Sequence, residues 1–128
     1  MPYTYDPQNI FAKILRGEIP NKTVLETGYS LAFHDIAPQA PCHVLVVPRG
    51  AYVNADHFAT EASDAEIVDF TKAVAEVSRA AGVAPGLGGD GYRLISNAGE
   101  AAIQEVPHYH VHVIGGRPLG PILRRSDD

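Results

Sequence analysis

The 128-residue chain is long enough for one hydrophobic core but too short for two independent domains. Its composition, 45% hydrophobic and 20% charged, is ordinary for a globular protein, and no apolar run reaches the roughly 18 residues that predict a membrane span. A net charge of −5 without a long basic cluster argues against nucleic acid as a partner, so we expect a small diffusible ligand.

The N-terminal segment and the cysteine content bear on cellular location. Residues 1–11 have neither a basic start nor an apolar core followed by a small-residue cleavage site. The one cysteine, Cys42, cannot form an internal disulfide, which is typical of a reducing compartment. We therefore expect a cytoplasmic protein without membrane contacts.

In chain order, the first predicted element is a short helix with an N-cap aspartate, a proline at its first position, an apolar face and a glycine stop. The residues that predict it are Asp6, Pro7, Ile10, Phe11, Ile14, Leu15 and Gly17. Two strands follow, at 23–26 and 30–34, on either side of a glycine-containing hairpin connection. The branched apolar run CHVLVV, residues 42–47, predicts a mostly buried strand that Pro48 closes.

The second half of the chain carries the strongest helix pattern. Ser63 and Glu66 fit a capping box, Gly82 provides a stop, and one apolar face lies between them: Ile67, Phe70, Val74 and Val77. A loop over residues 84–90 then leads to two further strands, at 92–96 and 108–114. One short helix, one long helix and five strands predict an α+β domain with a mainly antiparallel five-stranded sheet.

The last predicted strand contains histidines at alternate positions, in the stretch PHYHVHVIGG, residues 107–116. Side chains alternate between the two faces of a strand, so His108, His110 and His112 would share one face. The residues between them, Tyr109, Val111 and Val113, would share the other. Because an apolar face is the natural core face, we expect the imidazoles to line a surface or a cleft.

Three interpretations of this pattern are open from the residues alone. The histidines can be solvated surface residues. They can instead bind zinc, since imidazole is a common zinc ligand. The sequence argues against zinc, because it has no CxxC motif and Cys42 alone offers no thiolate pair. They can also perform nucleophilic catalysis, because a neutral imidazole can attack phosphorus. That chemistry requires one ring nitrogen held as a donor and further donors for the charge on the phosphoryl oxygens.

The stretch His108-Tyr109-His110-Val111-His112-Val113-Ile114 resembles the signature of the histidine triad (HIT) family of nucleotidyl hydrolases and transferases. Four more segments, at 10–20, 31–48, 91–99 and 115–123, resemble the nucleoside phosphoramidase branch of that family, and the last is most similar to bacterial members. The resemblance implies a single HIT domain over residues 1–128, with its core at 9–123.

The resemblance implies a role for each of four histidines. His110 would be the nucleophile, and His108 would orient it, partly through a backbone carbonyl that accepts a hydrogen bond from the His110 ring. His112 would bond to the phosphate and help the leaving group depart. His43 matches a fourth histidine that lies beside the triad.

The resemblance also implies the nucleotide-binding residues. Asp35 would bind both ribose hydroxyls, and a carboxylate is able to accept from two vicinal donors. The apolar walls around the base would be Ile10, Phe11, Ile14 and Ile36, and His34 would lie next to Asp35. The residues implied around the phosphate are Asn97, Ile103, Gln104 and Glu105.

Two departures from the family pattern bear on the site. Ala102 and Ile103 stand where the branch usually has two glycines, which predicts a restricted approach of the backbone to the phosphate. Asn9 and Ala12 stand where zinc-carrying members of the wider family have cysteines, which favours a site without metal.

The resemblance therefore implies a hydrolase, working without a cofactor, that cleaves a purine nucleoside 5′-phosphoramidate of the AMP or GMP type to the nucleoside monophosphate and an amine. Two other functions stay open. One is hydrolysis or transfer with a different leaving group, as in the dinucleoside polyphosphate hydrolase and nucleotidyltransferase branches. The other is a nucleotide-sensing or partner-binding module with incidental turnover. We also expect a homodimer, partly from the family and partly because so small a sheet leaves an edge to cover.

Overall fold

A computed structural model describes residues 2–124, which form one sheet with helices on both faces. The strands are β1 (Thr23–Glu26), β2 (Ser30–His34), β3 (Cys42–Pro48), β4 (Tyr92–Ile95) and β5 (Val111–Gly115). The α-helices are α1 (Ile10–Leu15), α2 (Ala55–Glu61) and α3 (Asp64–Ala80). The sheet order is β1-β2-β3-β5-β4 and every neighbouring pair is antiparallel, so the predicted α+β class and antiparallel five-stranded sheet are confirmed.

The sheet is buried on both faces, and this explains the uninterrupted apolar run of β3. One face packs against α3 through a core that includes Val44, Val46, Phe70, Val74, Val77, Val111 and Val113. The other face packs against α1 through a smaller core of Phe11, Leu31, Phe33, Leu45 and Val47. Because β3 is central and contributes to both cores, all of its residues are buried.

The first helix starts later than the sequence pattern predicts. Its N-cap is Asn9, whose side-chain oxygen accepts a hydrogen bond from the Ala12 N–H at 2.9 Å. Asp6 instead caps the preceding turn, where its carboxylate accepts from the Gln8 N–H at 2.9 Å. The prediction of Asp6 as the N-cap and Pro7 as the first helical residue is therefore wrong, because two capping residues three positions apart compete and Asn9 directly precedes the apolar residues Ile10 and Phe11.

The long helix is confirmed and a second short helix was not predicted. The capping box is complete, with the Ser63 hydroxyl accepting from the Glu66 N–H and the Glu66 carboxylate accepting from the Ser63 N–H. Helix α2, of sequence ADHFATE, has no regular apolar period, since only His57 and Phe58 are buried in it. Its start is fixed by Asn54, whose side chain accepts from the His57 N–H at 3.0 Å.

The histidine-rich strand is shorter than predicted, since β5 begins at Val111 and not at His108. The ladder between β3 and β5 ends at the pair Val46 and Val111. Beyond that pair the Pro48 carbonyl accepts a hydrogen bond from the His108 ring, and Pro48 has no N–H to donate to a strand. Strand β4 likewise ends at Ile95, one residue before the predicted end.

The sheet has two edges, β1 and β4, and the β4 edge presents exposed apolar side chains, Tyr92 and Leu94.

Among residues 2–124, no helix is long and apolar enough to cross a bilayer.

Candidate active site

The predicted catalytic histidines lie where β5 begins, beside the middle of the sheet. His108 and His110 precede β5 on the α1 side, His112 is within the strand, and His43 reaches it from β3. His108 is 0% exposed and His110 is 7% exposed. The interpretation of these residues as solvated surface histidines is therefore wrong, because this sheet has a second buried face under α1.

His110 is held with one ring nitrogen free. Its Nδ1 lies 2.6 Å from the backbone oxygen of His108, and a carbonyl only accepts, so Nδ1 carries the proton and donates. Nε2 therefore keeps its lone pair. The Phe11 ring meets the His110 ring edge-on, with centroids 4.9 Å apart, and burial lowers the pKa of His110 below its usual value. His110 is thus a neutral imidazole with an unprotonated Nε2.

His108 is fixed at both ring nitrogens. Its Nε2–H donates to the Pro48 carbonyl at 2.8 Å, so its Nδ1 is an acceptor and receives the Tyr5 hydroxyl at 2.6 Å. Burial is the main cause that lowers the pKa of His108 to about 4, and the nearby His110 adds to this effect. Tyr5 was not among the predicted site residues, and no local pattern indicates it, because it lies 103 positions from His108.

His43, His112 and Asp35 form a second group with a defined proton arrangement. The Gln39 N–H donates to His43 Nδ1 at 3.0 Å, so Nδ1 is an acceptor and the ring proton of His43 is on Nε2. That Nε2–H donates to His112 Nδ1 at 2.9 Å, with an Asp35 carboxylate oxygen 3.3 Å away. His112 then carries its own proton on Nε2. Burial first, and then His110 and His43, lower the pKa of His112 to about 4.

The same three side chains offer ligand atoms that lie within 4.8 Å of one another, a spacing that suits a metal ion. The positions of the ring protons, however, do not suit a metal ion. A cation at His43 Nε2 would require the ring proton to move to Nδ1, where the Gln39 N–H already points. Two N–H groups would then face each other. The proton arrangement of Asp35, His43 and His112 therefore favours hydrogen bonding over metal coordination.

The predicted nucleotide-binding residues are distributed over two regions. Phe11 contacts His110, Ile14 packs against the core under α1, and Asp35 lies beside His43. Three other predicted residues of this region have exposed side chains: Ile10, His34 and Ile36. The exposed fraction of Ile36 is 96%. One Asp35 oxygen accepts from the Ala37 N–H at 2.8 Å, which orients the carboxylate at the end of β2.

The second region is the loop at 97–105, which was predicted to hold the phosphate. The Gln104 side chain points inward, donating to the backbone oxygens of Val53 at 2.6 Å and Val106 at 3.0 Å. It also accepts from the Gly99 N–H at 3.2 Å. Gln104 thus holds the loop together. Asn97 is half-buried. In the part of the chain that the structure describes, the ring hydrogen bonds of the four clustered histidines do not involve the side chain of Asn97 or of Glu105.

Ile103 has a left-handed backbone, with φ 55° and ψ 56°, and is the only residue other than glycine with positive φ among residues 2–124. A β-branched residue in this region costs about 1–2 kcal/mol, whereas glycine adopts it freely. The departure from the family's glycine pair therefore has its effect at Ile103. Ala102, the last residue of a short 3-10 turn, has no such strain.

We expect Ile103→Gly to lower KM or raise kcat by up to about tenfold on a nucleotide substrate, because the loop would adopt this backbone without strain. Ala102→Gly is the matched control and should change neither constant. Steady-state kinetics of both variants and of the double variant will test this. If the double variant keeps the wild-type constants, the loop does not limit catalysis.

The fold and the histidine cluster together define a class of protein. The model of the HIT domain family matches residues 16–119. The chain therefore belongs to the HIT family, the nucleotide-binding hydrolases and transferases that its histidine pattern resembles.

Individual relatives agree with this assignment. A HIT-like protein of Azospirillum brasilense is 58% identical over 126 residues, covering 98% of this chain and all of the relative. The purine nucleoside phosphoramidase of Escherichia coli K12 is 40% identical over 116 residues, covering 91% of this chain and 93% of that enzyme. Among solved structures, a HIT family hydrolase from Clostridium thermocellum aligns with a TM-score of 0.80 at 38% identity, covering 91% of this chain and 97% of that one.

Proposed function

We propose that the protein hydrolyses purine nucleoside 5′-phosphoramidates to a nucleoside monophosphate and an amine. The observation that carries this proposal is the free Nε2 lone pair of His110, held by the bond from its Nδ1–H to the His108 carbonyl. The similarity to the Escherichia coli purine nucleoside phosphoramidase supports the choice of substrate.

In the proposed reaction His110 Nε2 attacks the α-phosphorus, the P–N bond breaks, and a nucleotidyl-histidine forms. The His112 ring lies beside His110, with centroids 5.1 Å apart, and because His43 already occupies its Nδ1, its Nε2–H would donate to a phosphoryl oxygen or to the leaving nitrogen. Water then attacks phosphorus and releases the nucleotide from His110. Overall one water is consumed, its hydroxyl ending on phosphorus and its proton on the amine.

We propose Asp35 as the ribose ligand and Phe11, Ile10, Ile14 and Ile36 as the base-binding side chains. Phe11 fits this role because it already contacts His110. In Asp35 one oxygen accepts from the Ala37 N–H, which presents the carboxylate in a fixed orientation to a pair of hydroxyls. The loop backbone at Gln104 and Glu105 and the side chain of Asn97 would complete the phosphate contacts.

The test is a comparison of steady-state rates on an adenosine phosphoramidate, a guanosine phosphoramidate and a diadenosine polyphosphate. Faster turnover of the phosphoramidates, unchanged by a chelator, is the expected result. A preference for the polyphosphate would support the alternative HIT activities, and millimolar KM with negligible turnover on all three would support a nucleotide-sensing module. Loss of activity in chelator, restored by zinc, would refute the metal-free chemistry.

We also propose that two copies of the chain pair through α3 and the β4 edge. A groove of about 430 Å³ lies between these elements, and most of its lining is apolar: Phe70, Val74, Ala75, Tyr92, Leu94, Tyr109 and Val111, with Thr71 and Ser96. The exposed β4 strand can pair with a second copy of itself, which would cover both the edge and the groove.

Light scattering at micromolar concentration is expected to give twice the 13.7 kDa of one chain. Leu94→Asp, which places a charge on the exposed β4 edge, should give monomers. Leu87→Asp is the matched control, because Leu87 is similarly exposed in the loop at 84–90 and should leave the dimer intact. A wild-type monomer would contradict the proposal.

A further inference from the structure

The segment before α1 lies against the first triad histidine. The Tyr3 hydroxyl donates to an Asp56 carboxylate oxygen at 2.6 Å, and the Tyr3 ring stacks on His57 with centroids 5.0 Å apart. Two residues later, the Tyr5 hydroxyl meets His108 Nδ1 at 2.6 Å, and the two rings pack edge-on with centroids 5.5 Å apart. Tyr3 thus anchors the segment to α2, and Tyr5 contacts the triad.

The direction of the contact at His108 follows from its other nitrogen. Since Nε2–H donates to the Pro48 carbonyl, Nδ1 accepts and the Tyr5 hydroxyl is the donor. Burial raises the pKa of Tyr5, so the hydroxyl keeps its proton. With both ring nitrogens paired and the side chain fully buried, the His108 ring has one orientation.

His108 is joined to the nucleophile through its backbone. Its carbonyl oxygen accepts from His110 Nδ1 at 2.6 Å, and this bond leaves the lone pair on His110 Nε2. A shift of the His108 ring would move that carbonyl, and the His110 ring would lose its fixed tautomer and direction. A small displacement of a reacting group is costly, because attack on phosphorus needs aligned atoms at close range.

We propose that Tyr5 is a positioning residue for His110, acting through the hydrogen bond from its hydroxyl to His108. The proposal rests on the proposed function for its effect on turnover, but not for its effect on the His110 ring. Tyr5 does not touch the substrate in this proposal. Its hydroxyl fixes the His108 ring, and the His108 carbonyl fixes the His110 ring.

The experiment compares Tyr5→Phe with Tyr3→Phe, which each lose one hydroxyl from the same segment. Tyr5→Phe should lower kcat on an adenosine phosphoramidate about tenfold with KM unchanged within about twofold, because the nucleophile is misaligned while binding groups are intact. Tyr3→Phe retains the ring that stacks on His57, so the segment stays anchored and both constants should be unchanged. In ¹⁵N-edited spectra of the free protein, the His110 Nδ1 proton should exchange faster with water in Tyr5→Phe than in the wild type or in Tyr3→Phe.

A hydroxyl with a merely structural role would lower the melting temperature of Tyr5→Phe and leave kcat and the His110 ring proton unchanged, and that result would overturn the proposal. A lower kcat with an unchanged ring proton would also overturn it, since the effect would not pass through His110. If the wild type does not turn over phosphoramidates, the proposed function fails separately, and exchange of the His110 ring proton alone decides the role of Tyr5.

Discussion

Replacing His110 with alanine is expected to abolish turnover while leaving nucleotide affinity within about tenfold of the wild type. Of the four clustered histidines, His43, His108, His110 and His112, only His110 has an unprotonated Nε2. In the proposed reaction its loss removes the covalent step and should lower kcat by at least about ten-thousandfold. Affinity should rest on Asp35, the side chains proposed to bind the base and the loop proposed to bind the phosphate, which the substitution leaves in place. Calorimetry with AMP and GMP measures the affinity, and single-turnover kinetics measures the rate.

His112→Ala is the graded comparison for this prediction. In the proposed reaction the His112 ring is a donor and not the attacking group, and a missing donor typically costs on the order of a hundredfold to a thousandfold. Quenching the wild type during turnover should yield a nucleotide adduct on the peptide that contains His110, and His110→Ala should yield none. Absence of an adduct in the wild type, or equal losses in the two variants, would contradict covalent catalysis by His110.

Local patterns were sufficient to predict most of the sheet. Strands β1 and β2 were predicted with their observed limits, because a glycine-containing turn and short branched runs define them. The capping box of α3 was predicted for the same reason, since all of its hydrogen bonds lie within four residues. These features depend on neighbours in the chain and are visible without the fold.

The environment of the histidines was not predictable from their spacing. Alternation correctly separates His108, His110 and His112 from Tyr109, Val111 and Val113, but it does not say that both faces are buried. That follows from α1, which covers the second face with Phe11. A pattern within one strand carries no information on which other elements pack against it.

The contacts that set the proton positions are also tertiary. His43 reaches His112 from 69 positions away, and the proton arrangement of His43 depends on a backbone N–H at Gln39. The left-handed backbone of Ile103 is a further case, because isoleucine is the residue type for which such a conformation is least expected. The family pattern indicates the site residues, but their protonation states depend on the three-dimensional arrangement.

We expect the activity to fall only at pH values below the ordinary histidine pKa of 6.5. Because burial lowers the pKa of His110 from 6.5, its Nε2 should stay unprotonated as the pH falls through 6.5, and kcat/KM should hold its plateau there. Below the lowered pKa of His110, kcat/KM should fall about tenfold for each pH unit, since a protonated imidazole has no lone pair. A pH profile of kcat/KM reports this pKa in the free enzyme.

Stability should fall over the same range, and the sign follows from where protons bind. The pKa of His108 and that of His112 are about 4 in the folded state, so between pH 6.5 and about 4 the unfolded chain binds more protons than the folded one. The free energy of unfolding is therefore independent of these groups above pH 6.5 and decreases as the pH falls toward 4. For His108 alone the decrease is on the order of 3 kcal/mol.

Urea unfolding at pH 7.5, 6, 5 and 4.5 measures how the free energy of unfolding decreases with pH. Circular dichroism at each pH shows how much protein is folded, so that a loss of stability can be distinguished from a loss of kcat/KM in folded protein. In His110→Gln one of the three imidazoles whose pKa is lowered by burial is absent, so its free energy of unfolding should depend less steeply on pH than that of the wild type. An activity limb centred at or above pH 6.5 in fully folded protein would mean that the nucleophile is not the buried imidazole of His110. A wild-type stability that does not change between pH 7.5 and 4.5 would likewise contradict the assignment of His108, His110 and His112 as neutral in the folded state.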